Sequence, residues 1–265
     1  MTHPLPCPTV TDEELVDVLR AAAAAVGVAL GSVAEWGETG DKPGQHHSDL
    51  AADEAAVAVL LERGVGVLSE ESGRHAPDRP VTVVVDPLDG STNAARRVSW
   101  WATSLCAVDG DGLRVAHVVD RRHDTVWEAV RGEGAWRDGV SIGPSVCLTA
   151  ADAIVGINGW PSRRGPWRQY RALGAAALDL CAVADGTLDG YVDCTVDEHA
   201  PWDYLGGVLV CREAGAVVVD AQGRDLVALD HTARRTPVAA CRPSVLDELR
   251  PWAGRGDGFG PMPGP

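Results

Sequence analysis

Apolar residues first repeat at helical spacing in Leu15, Val18, Leu19 and Ala22. Thr11 and Glu14 stand just before them with capping-box spacing, so the pattern predicts a helix from about residue 12 to about 30. Gly37–His47 is polar and reads as a loop. A second helix is predicted over roughly Leu50–Arg63, stopped by Gly64. The pattern then shortens. Val65–Leu68 reads as a brief strand that delivers Ser69-Glu70-Glu71-Ser72, and the apolar run Val81–Val85 reads as a buried one. Thr103–Val108 and Leu113–Val119 flank Asp109-Gly110-Asp111-Gly112, a hairpin signal, and a strand near Thr125–Val130 follows. This half of the chain predicts an antiparallel sheet with two helices.

From about Asp152 strands and helices alternate. Ile154–Ile157, Leu188–Val192, Val217–Val219 and Pro237–Ala240 read as strands; Gly174–Ala184, Pro201–Glu213 and Ser244–Trp252 read as helices. Pro201 suits an early helical position and Gly215 a helix stop. Two lobes are therefore expected, an α+β lobe over 1–150 and an α/β lobe over 151–253. A Gly/Pro-rich tail over 254–265 has the composition of a disordered segment. No internal repeat is visible.

Composition narrows the partners. With 23 Lys and Arg against 38 Asp and Glu, the formal charge is −15. A surface this acidic argues against nucleic acid or an anionic membrane as partner. It leaves room for an anionic small substrate, because a bound cation inverts the local potential. Seven scattered Cys without a Cys-x-x-Cys pair fit a reducing cytoplasm and no disulfide framework. The opening residues lack a basic segment followed by an apolar core, so no signal peptide is expected. The Ala-rich stretch over 21–34 is too short to span a bilayer and reads as an amphipathic helix. The nine Trp point to packing rather than to a nucleic-acid platform, which would need a basic groove. Trp100-Trp101 is a candidate dimer contact.

The chemistry concentrates in Asp86-Pro87-Leu88-Asp89-Gly90-Ser91-Thr92-Asn93, directly after the buried run. Two carboxylates three residues apart on a turn repel unless a cation lies between them, and hard divalent cations take oxygen ligands of this kind. The Gly-Ser-Thr that follows offers N–H groups and hydroxyls to an anion. Glu70 ends a neighbouring strand and Asp203 follows Trp202 at a helix start. Each acid alone has a commonplace reading: a cap for Asp203, a turn former for Asp86, a solvated charge for Glu70.

Together they resemble the inositol monophosphatase family of metal-dependent, lithium-sensitive phosphatases. The resemblance rests on Ser69-Glu70-Glu71-Ser72, the octapeptide, and Trp202-Asp203 with Glu213-Ala214-Gly215. Weaker echoes are Gly132-x-Gly134-Ala135 and Gly174–Leu180. In order and spacing these cover about residues 12–252. The implied fold is a layered αβαβα sandwich like that of inositol monophosphatase and fructose-1,6-bisphosphatase. The implied activity is Mg²⁺-dependent hydrolysis of inositol 1-phosphate or a similar cyclitol or sugar phosphate, by attack of a metal-activated water. Histidinol phosphate, fructose 1,6-bisphosphate and 3′-phosphoadenosine 5′-phosphate are alternative substrates, and a catalytically silent metal- or phosphate-binding regulator is an alternative role.

By the same resemblance two to three Mg²⁺ ions are implied. Asp86 would bridge two of them, with Glu70 and the Leu88 carbonyl completing the first and Asp89 and Asp203 holding the second. Glu70 would also touch a third ion. Ser91 and the N–H groups around Gly90, Ser91 and Thr92 would contact the phosphate. Asp53 would hydrogen-bond the Ser91 hydroxyl, and Lys42 matches a loop lysine of the family. Gly174 and Ala175 would line the substrate site. Asp193 is the nearest match for the acid that contacts the leaving alcohol, with Asp197 or Glu198 as alternatives. A homodimer in the cytoplasm is implied. The chain departs from the family at His47-Ser48-Asp49-Leu50, Ala175, Leu205 and Ala216, none of which removes a metal ligand. No His is needed in these blocks and His46-His47 reads as an isolated loop pair.

Overall fold

The computed structural model describes residues 10–33, 36–37 and 46–255. Lys42 and residues 256–265 of the predicted tail lie outside the described residues. Gly254 does not hang free: its N–H donates to the Asp193 carbonyl at 3.0 Å.

Helix α1 (Asp12–Ser32) begins on the predicted capping box, with Thr11 and Glu14 bonded reciprocally. It has the length and hydropathy of a membrane span. Its buried stripe, from Leu15 to Leu30, packs instead with helix α2 (His47–Glu62) on one face of the first sheet. Helix α2 starts three residues earlier than predicted. The His46 N–H donates to the Asp49 carboxylate at 2.7 Å, so the supposed loop pair His46-His47 is a helix start.

The first sheet contains β1 (Gly66–Ser69), β2 (Gly73–His75), β3 (Thr82–Asp89), β4 (Ala102–Asp109), β5 (Gly112–Asp120), β6 (Thr125–Val130), β7 (Gly134–Arg137) and β8 (Val140–Ser141). Their order is β2-β1-β3-β4-β5-β6-β7-β8. All pairs are antiparallel except β1 with β3, which run parallel, so both end at the same edge of the sheet. The apolar run in β3 has a direct cause. Val83 and Val85 face α1 and α2, whereas Val84 faces the opposite core, so the strand is buried on both sides. Between β3 and β4 the last three residues of the octapeptide open a short helix, α3 (Ser91–Arg96), that the apolar pattern does not predict.

The second sheet contains β9 (Ile154–Asn158), β10 (Gln169–Arg171), β11 (Gly190–Asp193), β12 (Val217–Asp220) and β13 (Pro237–Ala240), in the order β10-β9-β11-β13-β12. Helices α4 (Ala176–Ala184) and α5 (Pro201–Ala214) lie between the sheets, and α6 (Pro243–Leu249) covers the far face of the second. The five layers therefore run αβαβα. The central position of α5 explains its sequence, apolar on nearly every side.

Two glycines let α5 into that slot. A Cβ on Gly206 would stand 2.5 Å from the Ser104 hydroxyl, and one on Gly207 would stand 2.5 Å from Leu180 Cβ and 3.1 Å from the Ala177 carbonyl. Gly207→Ala pushes against atoms on or next to the α4 backbone, which have no rotamer to yield. It is expected to cost about 1–3 kcal/mol of stability, read as a lower urea midpoint with an unchanged slope.

Candidate active site

Three elements, β1, β3 and α5, converge at one place. The parallel pair β1 and β3 delivers Glu70 and Asp86 side by side, and the Glu70 N–H donates to the Val85 carbonyl at 3.2 Å. The register of β3 against β4 shifts between Asp86 and Asp89, leaving Pro87 and Leu88 without a paired residue on β4. The first turn of α5, the helix between the two sheets, supplies Asp203. Carboxylate oxygens of Glu70, Asp86 and Asp203 all lie within 4.8 Å of one another.

This trio is electrostatically expensive without a cation. Burial, with Asp203 and Glu71 adding to it, holds the Glu70 carboxyl well above the usual carboxylate range. Burial beside Glu70 and Asp89 does the same to Asp86. Asp89 is pushed up to about 7 by burial and by Asp203. An all-oxygen set of hard, mutually repelling carboxylates fits a hard divalent cation.

Asp89 sits beside the trio rather than in it. Its Oδ2 accepts the Ala177 N–H at 2.8 Å, tying the octapeptide to the start of α4. Leu88 holds the turn together through its own N–H, which donates to Asp86 Oδ1 at 3.0 Å. Gly90 takes φ 82°, and a Cβ there would stand 3.1 Å from the carbonyl oxygens of both Gly174 and Trp100, so the turn needs glycine. Beyond it the N–H groups of Ser91 and Thr92 open the first turn of α3, where no intrahelical acceptor exists. Asn93 fastens the other end, donating to the carbonyls of Trp100 at 2.8 Å and Leu173 at 2.7 Å.

Asp53 has another partner than the one the resemblance implies. Its Oδ1 accepts from the Ser69 hydroxyl, next to Glu70. Trp100 and Trp101 are engaged inside the chain. Trp100 donates from Nε1 to the buried Asp179 at 3.0 Å, and Trp101 meets Trp36 edge-on at 5.8 Å.

A cavity of about 280 Å³ adjoins the acids, lined by Asp89, Asn158, Gly174, Ala175, Glu198, His199 and Asp203 among others. Asp193 does not line it. That side chain is fully buried, with Oδ1 taken by the Asn158 amide at 3.1 Å and the Thr195 N–H at 3.0 Å. Asp197 is tied to Arg224 at 2.6 Å and to Gln222 at 3.1 Å. Of the three acids, Glu198 alone lines the cavity. The reason is local: Asp193 ends β11 fully buried, whereas Glu198 stands exposed in the loop that follows it.

His199 is the residue that sequence reasoning missed. Its Nδ1 lies 3.3 Å from Asp203 Oδ2, and its Nε2 lies 2.8 Å from the Tyr191 hydroxyl and 3.8 Å from Asp193. Burial opposes a charge on this ring, but Asp203 and Asp193 outweigh it and push the group up to about 9. Its spacing of four from Asp203, across a helix start, was the available signal. Glu213 has a structural task instead. It accepts the N–H groups of Gly132 at 3.0 Å and Gly134 at 3.2 Å, about three turns of α5 from Asp203.

An acid trio at converging strand and helix ends, beside an open helix start and a polar cavity, defines the class: a metal-dependent phosphatase. The chain belongs to the inositol monophosphatase family, whose profile matches residues 11–250. It is similar to a fructose-1,6-bisphosphatase of Pyrococcus furiosus, 32% identical over 208 residues that cover 76% of this chain and 80% of the relative. It is similar to the Nus factor SuhB of Escherichia coli, 31% identical over 193 residues covering 64% and 71%. Among solved structures, an inositol monophosphatase from Anabaena superposes with a TM-score of 0.74 at 25% identity, covering 90% of this chain and 94% of that one.

Proposed function

We propose that this chain is a Mg²⁺-dependent, lithium-sensitive phosphomonoesterase that hydrolyses inositol 1-phosphate or a similar cyclitol or sugar phosphate. The observation that carries the reading is the trio of Glu70, Asp86 and Asp203, of which Asp203 also lines the 280 Å³ cavity. These three, with Asp89 and the Leu88 carbonyl, would hold the ions. Bound there, divalent cations neutralise charge on a phosphoryl group and make water a nucleophile at neutral pH.

The chain's own groups divide the remaining work. The N–H groups of Ser91 and Thr92 bind phosphate oxygens, and the Ser91 hydroxyl helps orient the attacking water. A charged His199 donates from Nδ1 to Asp203 and from Nε2 to the Tyr191 hydroxyl, which fixes the Asp203 carboxylate. Gly174 and Ala175 line the substrate side, while Glu198 and Asn158 face the leaving alcohol. Similarity to the P. furiosus fructose-1,6-bisphosphatase favours a second reading, with a sugar bisphosphate as substrate. We place the enzyme in the cytoplasm as a homodimer, without nucleic-acid or membrane partners.

Phosphate release from inositol 1-phosphate, fructose 1,6-bisphosphate, histidinol phosphate and 3′-phosphoadenosine 5′-phosphate tests this, with Mg²⁺, EDTA or added Li⁺. Inositol 1-phosphate is expected to give the highest kcat/KM, and turnover of none of them would refute the enzyme reading. Glu198→Gln is expected to raise KM for inositol 1-phosphate about tenfold, the loss of one charge-assisted hydrogen bond. KM for 4-nitrophenyl phosphate, which has no alcohol hydroxyls to recognise, should not change. A parallel rise for both substrates would remove Glu198 from the alcohol side.

A further inference from the structure

The segment between β12 and β13 touches the Glu70 backbone, the Trp202 ring and the His199 backbone. His231 Nε2 lies 3.1 Å from the Glu70 backbone carbonyl, 161 residues away in sequence. The His231 ring packs on the Trp202 ring with centroids 4.6 Å apart, and Trp202 directly precedes Asp203. Arg234 lies over the same indole at 5.5 Å and returns a hydrogen bond from Nη1 to the His231 carbonyl at 3.0 Å. Arg235 pairs its backbone with that of His199, at 2.8 and 3.2 Å in the two directions. The segment's own turn is fixed where Asp230 accepts both the N–H and the hydroxyl of Thr232.

We propose that His231 is a positioning residue: its Nε2–H, donated to the Glu70 carbonyl while its ring rests on Trp202, holds Glu70 in register with Asp203 for cation binding. The inference rests on the metal-site reading given above. Glu70 follows β1 and Asp203 stands in the first turn of α5, and no secondary-structure hydrogen bond joins those two elements. Their carboxylates repel before a cation arrives. A contact that spans both elements lowers the cost of bringing them together, so its loss appears as weaker cation binding rather than as an altered chemical step.

The two contacts of His231 can be separated by substitution. His231→Phe keeps a ring for Trp202 and loses the donor; His231→Gln keeps an N–H donor and loses the ring. Isothermal titration of the metal-free protein with Mg²⁺ alone reads the effect without substrate. His231→Phe is expected to bind Mg²⁺ roughly two- to tenfold more weakly, the size of one hydrogen bond, and His231→Gln is expected to recover most of that loss. At saturating Mg²⁺ kcat should be near that of the unaltered protein, while the Mg²⁺ concentration for half-activity rises in step with the titration. Unchanged Mg²⁺ affinity in His231→Phe overturns the proposal, as does a lowered Tm with no change in affinity, since that outcome marks a purely structural contact. If the unaltered protein binds no Mg²⁺, the metal-site reading itself fails.

Discussion

Asp86→Asn is expected to lower kcat for phosphate release at least about a thousandfold while leaving the fold intact. Asp86 is buried at the centre of the acid group, so its charge is the one most exposed to Glu70, Asp89 and Asp203. Losing one anionic ligand removes several kcal/mol of the charge stabilisation that a divalent cation lends to phosphoryl transfer, and each 1.36 kcal/mol is about tenfold in rate. Asn preserves the shape, and its amide oxygen still accepts the Leu88 N–H that shapes the turn. It also removes one member of a repelling group. The metal-free variant should therefore melt no lower than the metal-free native protein, as followed by circular dichroism. A variant that keeps near-native turnover would contradict a central role for Asp86.

Metal removal should have the second large effect, and it carries a pH signature. EDTA is expected to reduce phosphate release to background, with recovery on added Mg²⁺. In the metal-free protein, burial and the neighbouring acids raise Glu70, Asp86 and Asp89, the last to about 7. A carboxyl whose folded pKa is raised binds more protons folded than unfolded. Its stabilisation is complete below the ordinary carboxylate range near pH 4 and is lost as pH climbs through about 7. The Tm of the metal-free protein should therefore fall between pH 5 and pH 8. Saturating Mg²⁺ should flatten that decline, because cations favour the charged forms, and should raise Tm at pH 8 by linkage. Melting curves at several pH values, with Mg²⁺ and with EDTA, check both parts. A Tm that ignores Mg²⁺ at pH 8 would refute the cation site.

The helix and strand pattern was readable where one physical cause dominates. The capping box at Thr11 and Glu14 needs only local hydrogen bonds, and the stripe beginning at Leu15 needs only a helix to bury it. The run in β3 is apolar throughout because both its faces meet a core. Elements governed by distant partners were not readable. The short helix α3 carries no apolar stripe, and it forms where Gly90 turns left-handed against the backbone of Gly174 and Trp100. Helix α2 starts at His47 because the Asp49 side chain reaches back to the His46 N–H, a competing local bond in what reads as polar loop.

The candidate site divides along the same line. Residue type and order in Glu70, the octapeptide and Trp202-Asp203 carried by themselves the resemblance that pointed to the family. Closely spaced carboxylates suit a hard cation, and a Gly-Ser-Thr turn leaves N–H groups for an anion. Only the tertiary structure decided which acid lines the cavity. Asp193, Asp197 and Glu198 are alike in sequence, yet one is buried against Asn158, one is clasped by Arg224 and one lines the cavity. It also decided that Asp53 serves the Ser69 hydroxyl, that His199 meets Asp203, and that His231 reaches Glu70 across 161 residues. Local chemistry depends on neighbours along the chain and is written there. A long-range contact depends on how the two sheets and the helices between them pack, which no short stretch of sequence contains.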